Sequence, residues 1–228
     1  ITSMGRDTTV LDVQEPGIPS DASTMLPQYL PVNGYGGAGV GDGELVFVNF
    51  GLIEDYATLD SMGVSVKGKV VLARYGRSFR GIKSREAEKR GAVAVLIYTD
   101  PLDDGFVQGD VYPEGPMRPL RGLQRGSVFN GTGDPLTPGY ASKPGAPRLK
   151  PEETAVPKVP VVPISAANAQ LLLAQVRGTT AIPYIQRAIP NARVLLLDNY
   201  PDRNRAIAQG RAQASFDGID SVRFALRP

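Results

Sequence analysis

Apolar residues along this chain occur in short runs separated by glycine, proline and charged residues. Four runs are rich in β-branched or aromatic residues, which is typical of buried strands. They predict strands at Glu44–Phe50, Lys69–Arg74, Ala92–Tyr98 and, at a sheet edge, Val159–Ile164. Helical spacing of apolar residues or a run of helix-forming residues predicts helices at Glu54–Met62, Lys83–Arg90 and Ser165–Val176, and a last strand is predicted at Arg193–Leu197. Gly91 is placed to end the second helix in a left-handed conformation, and Ser165 is placed to cap the third.

The order strand, helix, strand between Lys69 and Tyr98 predicts a crossover unit and an α/β (α+β) fold. Two regions lack such periodicity. Residues 1–38 form an irregular lead-in that runs into a glycine-rich stretch, Asn33–Gly39, which predicts a flexible loop. Between Asp100 and Pro163 a glycine or proline recurs every few residues, and a loop region of that length is usually functional or lid-like.

Composition excludes several kinds of chemistry. The 228 residues contain no histidine and no cysteine, so disulfides, zinc–thiolate sites, thiol nucleophiles and Ser-His-Asp triads cannot form. The formal net charge is +2 with scattered basic residues, which gives no footprint for a nucleic-acid partner. No apolar run approaches the roughly 20 residues of a membrane-spanning helix. The chain begins with Ile1 rather than methionine, so we expect a fragment or a mature chain.

Charged and polar clusters also have simple interpretations. The carboxylates of the first irregular loop lack calcium-loop spacing and predict a solvated acidic loop: Asp100, Asp103, Asp104 and Asp110. Basic residues of the second helix predict its solvated face: Arg85, Lys89 and Arg90. Asn130-Gly131-Thr132 is a glycosylation sequon, a triplet that often arises by chance.

A series of short motifs resembles the protease-associated (PA) domain of the glutamate carboxypeptidase II and transferrin receptor family of zinc peptidases. Eight landmarks occur in family order: Leu45–Asn49, Gly68–Gly76, Phe79-Arg80-Gly81, Ile97–Pro101, Tyr112-Pro113, Gln124-Arg125-Gly126, Gly133–Tyr140 and Val159–Ile164. The likeness covers roughly residues 11–176. It implies a PA domain over 1–178, with a β-sandwich or open-barrel core and short flanking helices, followed by a divergent segment, 179–228, that leads toward a peptidase domain.

The resemblance also implies a substrate-binding pair. Arg80, in the Phe-Arg-Gly motif, matches the family arginine that binds the C-terminal carboxylate of the substrate, and a guanidinium suits a carboxylate because it offers two parallel donors. Ser127 matches an asparagine that contacts the side-chain carboxylate in glutamate-cleaving members. Serine reaches less far, which puts glutamate selectivity in doubt. Without the family motif, Arg80 as a surface salt bridge and Ser127 as a residue satisfied within its own turn are the simpler interpretations.

Metals are implied only for the longer family enzyme. Thr137 and Tyr140 match positions that supply oxygen ligands to a structural calcium, with further carboxylates from the peptidase domain, and oxygen donors are those calcium prefers. Two zinc ions are implied in the peptidase domain, while this chain alone has no cofactor and no catalytic residue. The expected partners are that peptidase domain and a peptide substrate, with dimers and an extracellular, secretory or periplasmic location frequent in the family.

Two functions remain open at this stage. One is a domain that covers the substrate pocket of a zinc peptidase. The other is a non-catalytic, protein-binding module of the transferrin receptor type. Retention of Arg80 within its motif favours the first, and the absence of zinc ligands favours the second.

Overall fold

A computed structural model describes residues 10–173. The described residues up to Ala169 belong to one compact unit of the chain. Its described residues form a mixed α/β fold built on parallel sheets, which confirms the predicted fold class. The strand predicted at Arg193–Leu197 lies outside the described residues.

Four strands form the main sheet, in the order β2-β3-β4-β6, and every neighbouring pair is parallel. Their bounds are β2 Leu45–Phe47, β3 Val70–Arg74, β4 Ala94–Tyr98 and β6 Val161–Ile164. All four lie within the predicted runs, and β6 lies at the sheet edge as predicted. The two central strands are buried on both faces, so their sequences read as continuous apolar runs rather than as alternating ones.

Three helices accompany the sheet: α1 Ile53–Ser61, α2 Arg80–Lys89 and α3 Ala166–Leu173. Helix α2 connects β3 to the parallel strand β4, which confirms the crossover unit. Gly91 follows α2 with a φ of 77°, a left-handed conformation that glycine adopts without steric cost. The Ser165 hydroxyl accepts a hydrogen bond from the Asn168 amide at 3.2 Å, which confirms the cap of α3. Helix α2 begins three residues earlier than predicted, so it includes Arg80.

The glycine-rich stretch after the lead-in is not merely a flexible loop. Asn33–Gly34 forms a short strand, β1, that pairs in parallel with β5, Gly126–Ser127. Asn33 is buried and its side-chain amide donates to the Tyr75 hydroxyl at 3.0 Å. Two-residue strands made mostly of small polar residues carry no hydrophobic period, so sequence pattern could not reveal this pairing.

The lead-in segment, residues 10–32, contains one short 3₁₀ turn, Ala22–Met25, and is attached through polar contacts. Glu15 accepts hydrogen bonds from Arg125 at 2.6 Å and from the Leu123 amide at 2.7 Å, and Asp12 pairs with Arg121. Several of its apolar side chains remain exposed: Val10, Met25, Leu26, Tyr29, Leu30 and Val32. The segment therefore contacts the domain through polar groups while much of its apolar surface faces outward.

Candidate functional site

Arg80 lies where the main sheet ends. It is the first residue of α2, and α2 follows β3 after a five-residue turn, Tyr75–Phe79, so Arg80 is placed at the carboxyl edge of the parallel strands. Arg77 in this turn has a φ of 59°, and Gly76 has a φ of 105°. In parallel α/β sheets, ligands bind outside the carboxyl ends of the strands. The position alone therefore makes the start of α2 a candidate binding site.

Arg80 and Ser127, the two residues predicted to bind substrate, are brought together. The Arg80 guanidinium donates to the Ser127 carbonyl at 3.4 Å, a long hydrogen bond. Its Cζ lies 5.7 Å from the centre of the Tyr75 ring and 5.8 Å from that of Phe79, within the range of cation–π attraction. The guanidinium also lies directly against Gly126, where an added Cβ would be only 2.3 Å from Nη1. Gly126 is thus required by the close approach of Arg80.

The Arg80 guanidinium keeps donor capacity. Its Nε is buried and has no hydrogen-bond partner, and Arg80 forms no ion pair within residues 10–173. A guanidinium carries five N–H donors, so the long hydrogen bond to Ser127 and the contact with the Tyr75 hydroxyl leave donors for an anion. The simpler interpretation of Arg80 as a surface salt bridge finds no partner among these residues.

A network of hydrogen bonds fixes the position of Tyr75, whose ring lies beneath the Arg80 guanidinium. The Tyr75 hydroxyl donates to the Gln124 carbonyl at 2.9 Å and accepts from Asn33 at 3.0 Å. Burial raises the pKa of Tyr75 to about 12, although the positive charge of Arg80 opposes that rise. Tyr75 therefore remains a neutral phenol over the physiological pH range, and its ring lies beneath the Arg80 guanidinium.

Ser127 is satisfied locally. Its hydroxyl accepts a hydrogen bond from the Phe129 amide at 3.1 Å, which is the turn geometry expected of a serine in a loop. The hydroxyl proton is not used in that bond, so Ser127 can still donate to a ligand. Its role as a substrate ligand stays a prediction.

Asn130, which the sequence suggested only as a sequon, contacts the first turn of α2. Its side-chain amide donates to the Gly81 carbonyl at 2.8 Å and to the Val128 carbonyl at 3.3 Å. An added Cβ on Gly81 would lie 2.4 Å from the Val128 carbonyl oxygen, so the helix start is packed tightly against this loop. Because the Asn130 nitrogen is engaged in the fold, it serves here to hold the turn that carries Arg80.

Sequence reasoning missed Lys83, which was assigned only to a polar helix. Its side chain is fully buried, and its Nζ donates to the carbonyls of Phe50 at 2.6 Å and Gly76 at 2.9 Å and to the Ser78 hydroxyl at 3.3 Å. Burial lowers the pKa of Lys83 to about 8, while the nearby Asp55 carboxylate opposes the shift and Arg74 adds to it. Lysine is almost never fully buried, so no sequence rule would have selected this position.

The later turns of α2 differ from the prediction of a solvated basic face. The Glu86 side chain is only 3% exposed and receives hydrogen bonds from Arg85 at 3.0 Å, Lys89 at 3.3 Å and Arg90 at 2.9 Å. Arg90 also lies 4.4 Å over the Tyr56 ring. Burial opposes charge on Glu86, but the hydrogen bonds from its three basic neighbours outweigh it and hold the pKa of the carboxyl below its usual value. These cations compensate a buried carboxylate.

The predicted solvated acidic loop is likewise wrong for Asp100. That residue is 3% exposed and its carboxylate pairs with Arg74 at 3.2 Å, while Asp103 pairs with the same guanidinium at 3.1 Å. Asp100 lies two residues after the end of β4, where Tyr98 pairs with Arg74 at the end of β3, so the parallel register brings Asp100 close to Arg74 at the sheet edge. The spacing of charged residues along the chain could not show that Asp100 is buried in an ion pair.

Thr137 and Tyr140 form one turn, in which the Tyr140 amide donates to the Thr137 carbonyl at 3.3 Å. The Thr137 hydroxyl is buried and has no hydrogen-bond partner, whereas the Tyr140 hydroxyl donates to the Pro147 carbonyl at 2.6 Å. These oxygens fit calcium chemically, yet calcium takes six to eight oxygen ligands, so the pair supplies only part of a shell.

Zinc does not fit the residues present. The chain has no histidine or cysteine, and within residues 10–173 no group of three or more acidic residues could hold a metal ion. None of the helices in that range has the length and hydropathy to cross a lipid bilayer.

Comparison with known proteins agrees with this mixed α/β architecture. The family model described as PA domain matches residues 40–172. The chain therefore belongs to the PA domain family, and it is homologous to glutamate carboxypeptidase 2 and NAALADL1 family members.

Three relatives illustrate the homology. The Glutamate carboxypeptidase 2 homolog of Caenorhabditis briggsae is 40% identical over 65% of this chain and 20% of that protein. The Probable glutamate carboxypeptidase AMP1 of Arabidopsis thaliana is 37% identical over 79% of this chain and 24% of its own length, and Aminopeptidase NAALADL1 of Mus musculus is 37% identical over 70% and 22%. The chain thus spans 20 to 24% of the length of these peptidases.

Proposed function

We propose that this chain forms a wall of the substrate pocket in a glutamate carboxypeptidase-like zinc peptidase, where Arg80 binds the C-terminal carboxylate of a peptide. The observation that carries the proposal is the Arg80 guanidinium, which has a buried, unpartnered Nε and no ion pair among the described residues. Burying such a donor without a partner costs free energy, and a carboxylate would satisfy it with a charge-assisted hydrogen bond.

Hydrolysis itself belongs to a peptidase domain of the same polypeptide, because the chain has no histidine or cysteine and residues 10–173 hold no acidic cluster that could bind zinc. The contribution of this chain is to bind and orient the peptide. Its Ser127 hydroxyl, with one free proton, would contact the substrate side chain. Serine reaches less far than a longer amide side chain, so we infer a broader preference than glutamate at that position.

A structural calcium at Thr137 and Tyr140 is part of the same proposal. The orphaned Thr137 hydroxyl supports it, and the missing ligands would be carboxylates of the peptidase domain. Calcium added to the isolated 228-residue chain should therefore cause no rise in its unfolding temperature, whereas the full-length polypeptide should be stabilised.

The test of Arg80 uses the full-length polypeptide and steady-state kinetics on a peptide with a free C-terminus. Arg80→Ala should raise KM roughly 10- to 100-fold, since a hydrogen bond to a charged group contributes about 1.5–3 kcal/mol. Arg80→Lys should recover only part of the loss, because an ammonium cannot form two parallel bonds. Arg85→Ala is the matched control on the same helix and should leave KM unchanged. Equal KM values for wild type and Arg80→Ala would contradict the proposal.

A protein-binding module of the transferrin receptor type remains the alternative, and the outward-facing apolar side chains of the lead-in segment favour it. Tyr29 is 93% exposed and Val10 is 84% exposed. Such residues are typical of surfaces that another protein covers. A full-length polypeptide without peptidase activity, in which Tyr29→Ser abolishes a protein complex and Arg80→Ala does not, would establish this second function.

A further inference from the structure

Lys83 is the one fully buried lysine among residues 10–173, and it has no carboxylate partner there. A buried ammonium is costly unless hydrogen bonds replace its water. Here three neutral oxygens do so, and they belong to two different loops. Phe50 lies in the loop between β2 and α1, while Gly76 and Ser78 lie in the turn between β3 and α2.

We propose that Lys83 is a positioning residue for Arg80: its ammonium holds the two loops at the carboxyl edge of the sheet in the arrangement that aims the Arg80 guanidinium at a carboxylate ligand. The geometry supports this role directly. Lys83 lies one helical turn after Arg80, so the same short helix carries both the guanidinium and the group that ties down the turn leading to it.

The charged groups around Lys83 come from each element packed against it. Asp55 on α1 favours the protonated ammonium, and it also accepts hydrogen bonds from the amides of Phe50 and Leu52 at 3.1 Å each. Arg74 at the end of β3 disfavours the ammonium. Arg74 and Arg77 both lie over the Phe50 ring, at 3.9 and 4.8 Å. Deprotonation of Lys83 would therefore remove one of the three positive charges around Phe50. It would also leave the Lys83 nitrogen with two N–H donors for its three acceptor oxygens.

This role has a measurable consequence, because the chain has no histidine or cysteine to titrate near neutral pH. With burial lowering the pKa of Lys83 to about 8, the hold on the two loops should weaken as pH rises through that value. A pH dependence that is specific to the carboxylate of the peptide would therefore report on Lys83.

The inference rests on the proposed function, so the test has two arms. In the full-length polypeptide, kcat/KM is measured from pH 6.5 to 9.5 for one peptide with a free and with an amidated C-terminus. Their ratio cancels the titration of groups that act on both. In wild type the ratio should fall roughly 5- to 10-fold as pH rises, about what one ordinary hydrogen bond contributes. In Lys83→Met this ratio should be low at every pH. In Lys89→Met, whose altered side chain is exposed on the same helix, the ratio should follow that of wild type.

The second arm needs no substrate. The NMR signal of the Arg80 Nε–H group is recorded in the 228-residue chain for wild type, Lys83→Met and Lys89→Met, with thermal unfolding to verify that each is folded. The proposal predicts that the signal moves or broadens in Lys83→Met alone, and that the wild-type signal changes with pH near 8. If kcat/KM is the same for the free and the amidated peptide at every pH while the NMR signal responds as predicted, carboxylate binding is refuted and the positioning role is retained. If Lys83→Met folds and keeps the wild-type Arg80 signal, the positioning role is refuted. If Lys83→Met does not fold, a wild-type Arg80 signal that does not change near pH 8 refutes the positioning role, and one that changes supports it.

Discussion

The two ends of helix α2 differ in whether their basic side chains have a carboxylate partner. In its later turns three basic side chains surround the carboxylate of Glu86, which is 3% exposed. At its first turn Arg80 has aromatic rings, a glycine and one carbonyl around it, and no carboxylate among the described residues. The basic side chains around Glu86 are paired with it, whereas Arg80 has no carboxylate partner among residues 10–173, as our proposal of a bound substrate carboxylate requires.

Glu86→Gln removes the charge that pairs with the three basic side chains in the later turns of α2, and it should have the largest effect on the free energy of unfolding. Removing one partner of a buried charge cluster leaves the others uncompensated, so we expect a loss of about 3 kcal/mol in the free energy of unfolding. Arg80→Ala should cost less than about 0.5 kcal/mol, since no ion pair is lost. Urea unfolding of both variants measures the contrast. Comparable losses would mean that Arg80 is also structural.

The acid stability of the chain should depend on the same carboxyl. Because the folded pKa of Glu86 is lowered, its contribution is present above the usual value of 4.5 and is lost as pH falls through the folded pKa. Below pH 4.5 wild type should therefore lose stability more steeply than Glu86→Gln. Urea titrations at several acidic pH values measure the two slopes, and parallel slopes would show that Glu86 does not titrate as described.

Lys83 should make the free energy of unfolding rise with pH on the alkaline side, in the same direction that Glu86 gives on the acid side. Its folded pKa of about 8 lies below the ordinary value of 10.5, so between these values the unfolded chain binds the proton that the folded chain has released. The Lys83 contribution to the unfolding free energy should therefore rise with pH in this window, by at most about 1.4 kcal/mol per pH unit. Lys83→Met should lack this rise and Lys89→Met should keep it. Identical pH profiles for Lys83→Met and wild type would contradict the assignment.

Asn130→Ala should loosen the start of α2 without touching its later turns. It leaves the Gly81 carbonyl short of one donor, so we expect a loss of about 1–2 kcal/mol in stability and a weaker affinity for carboxylate. Thr132→Ala is the matched control, because it destroys the sequon while leaving Asn130 in place, and it should change neither quantity. If both variants behave alike, glycosylation or loop structure rather than the Gly81 contact is the cause.

Gly126→Ala should displace the Arg80 guanidinium. The new methyl group would occupy the place of the guanidinium, whose flexible end can move away. We expect KM for a peptide with a free C-terminus to rise several-fold, and the φ of 157° at Gly126, which alanine rarely adopts, should cost about 1 kcal/mol in stability. Gly34→Ala on the paired strand, where the nearest atom to an added Cβ is 3.9 Å away, should leave KM unchanged. Equal effects of both variants would show that the loss is not specific to Arg80.

The contrast between the two ends of α2 also shows what sequence could and could not predict. The main strands follow from apolar runs and the helix ends from Gly91 and Ser165, because these signals are local. The meeting of Arg80 with Ser127 was implied by family motifs, whereas the pairing of β1 with β5 that places Ser127 there has no periodic signal. Burial of Lys83, Glu86 and Asp100 depends on the tertiary fold, so the sequence pattern did not reveal it, and for Asp100 it predicted solvent exposure instead.

The most direct test of the central claim is a double-mutant cycle in the full-length polypeptide, with wild type and Arg80→Ala each acting on a peptide with a free and with an amidated C-terminus. A direct contact predicts that removing the arginine and removing the carboxylate are not additive, with a coupling energy of about 1.5–3 kcal/mol in kcat/KM. Additive effects, or a wild type that does not distinguish the two peptides, would contradict the assignment of Arg80 to the substrate carboxylate.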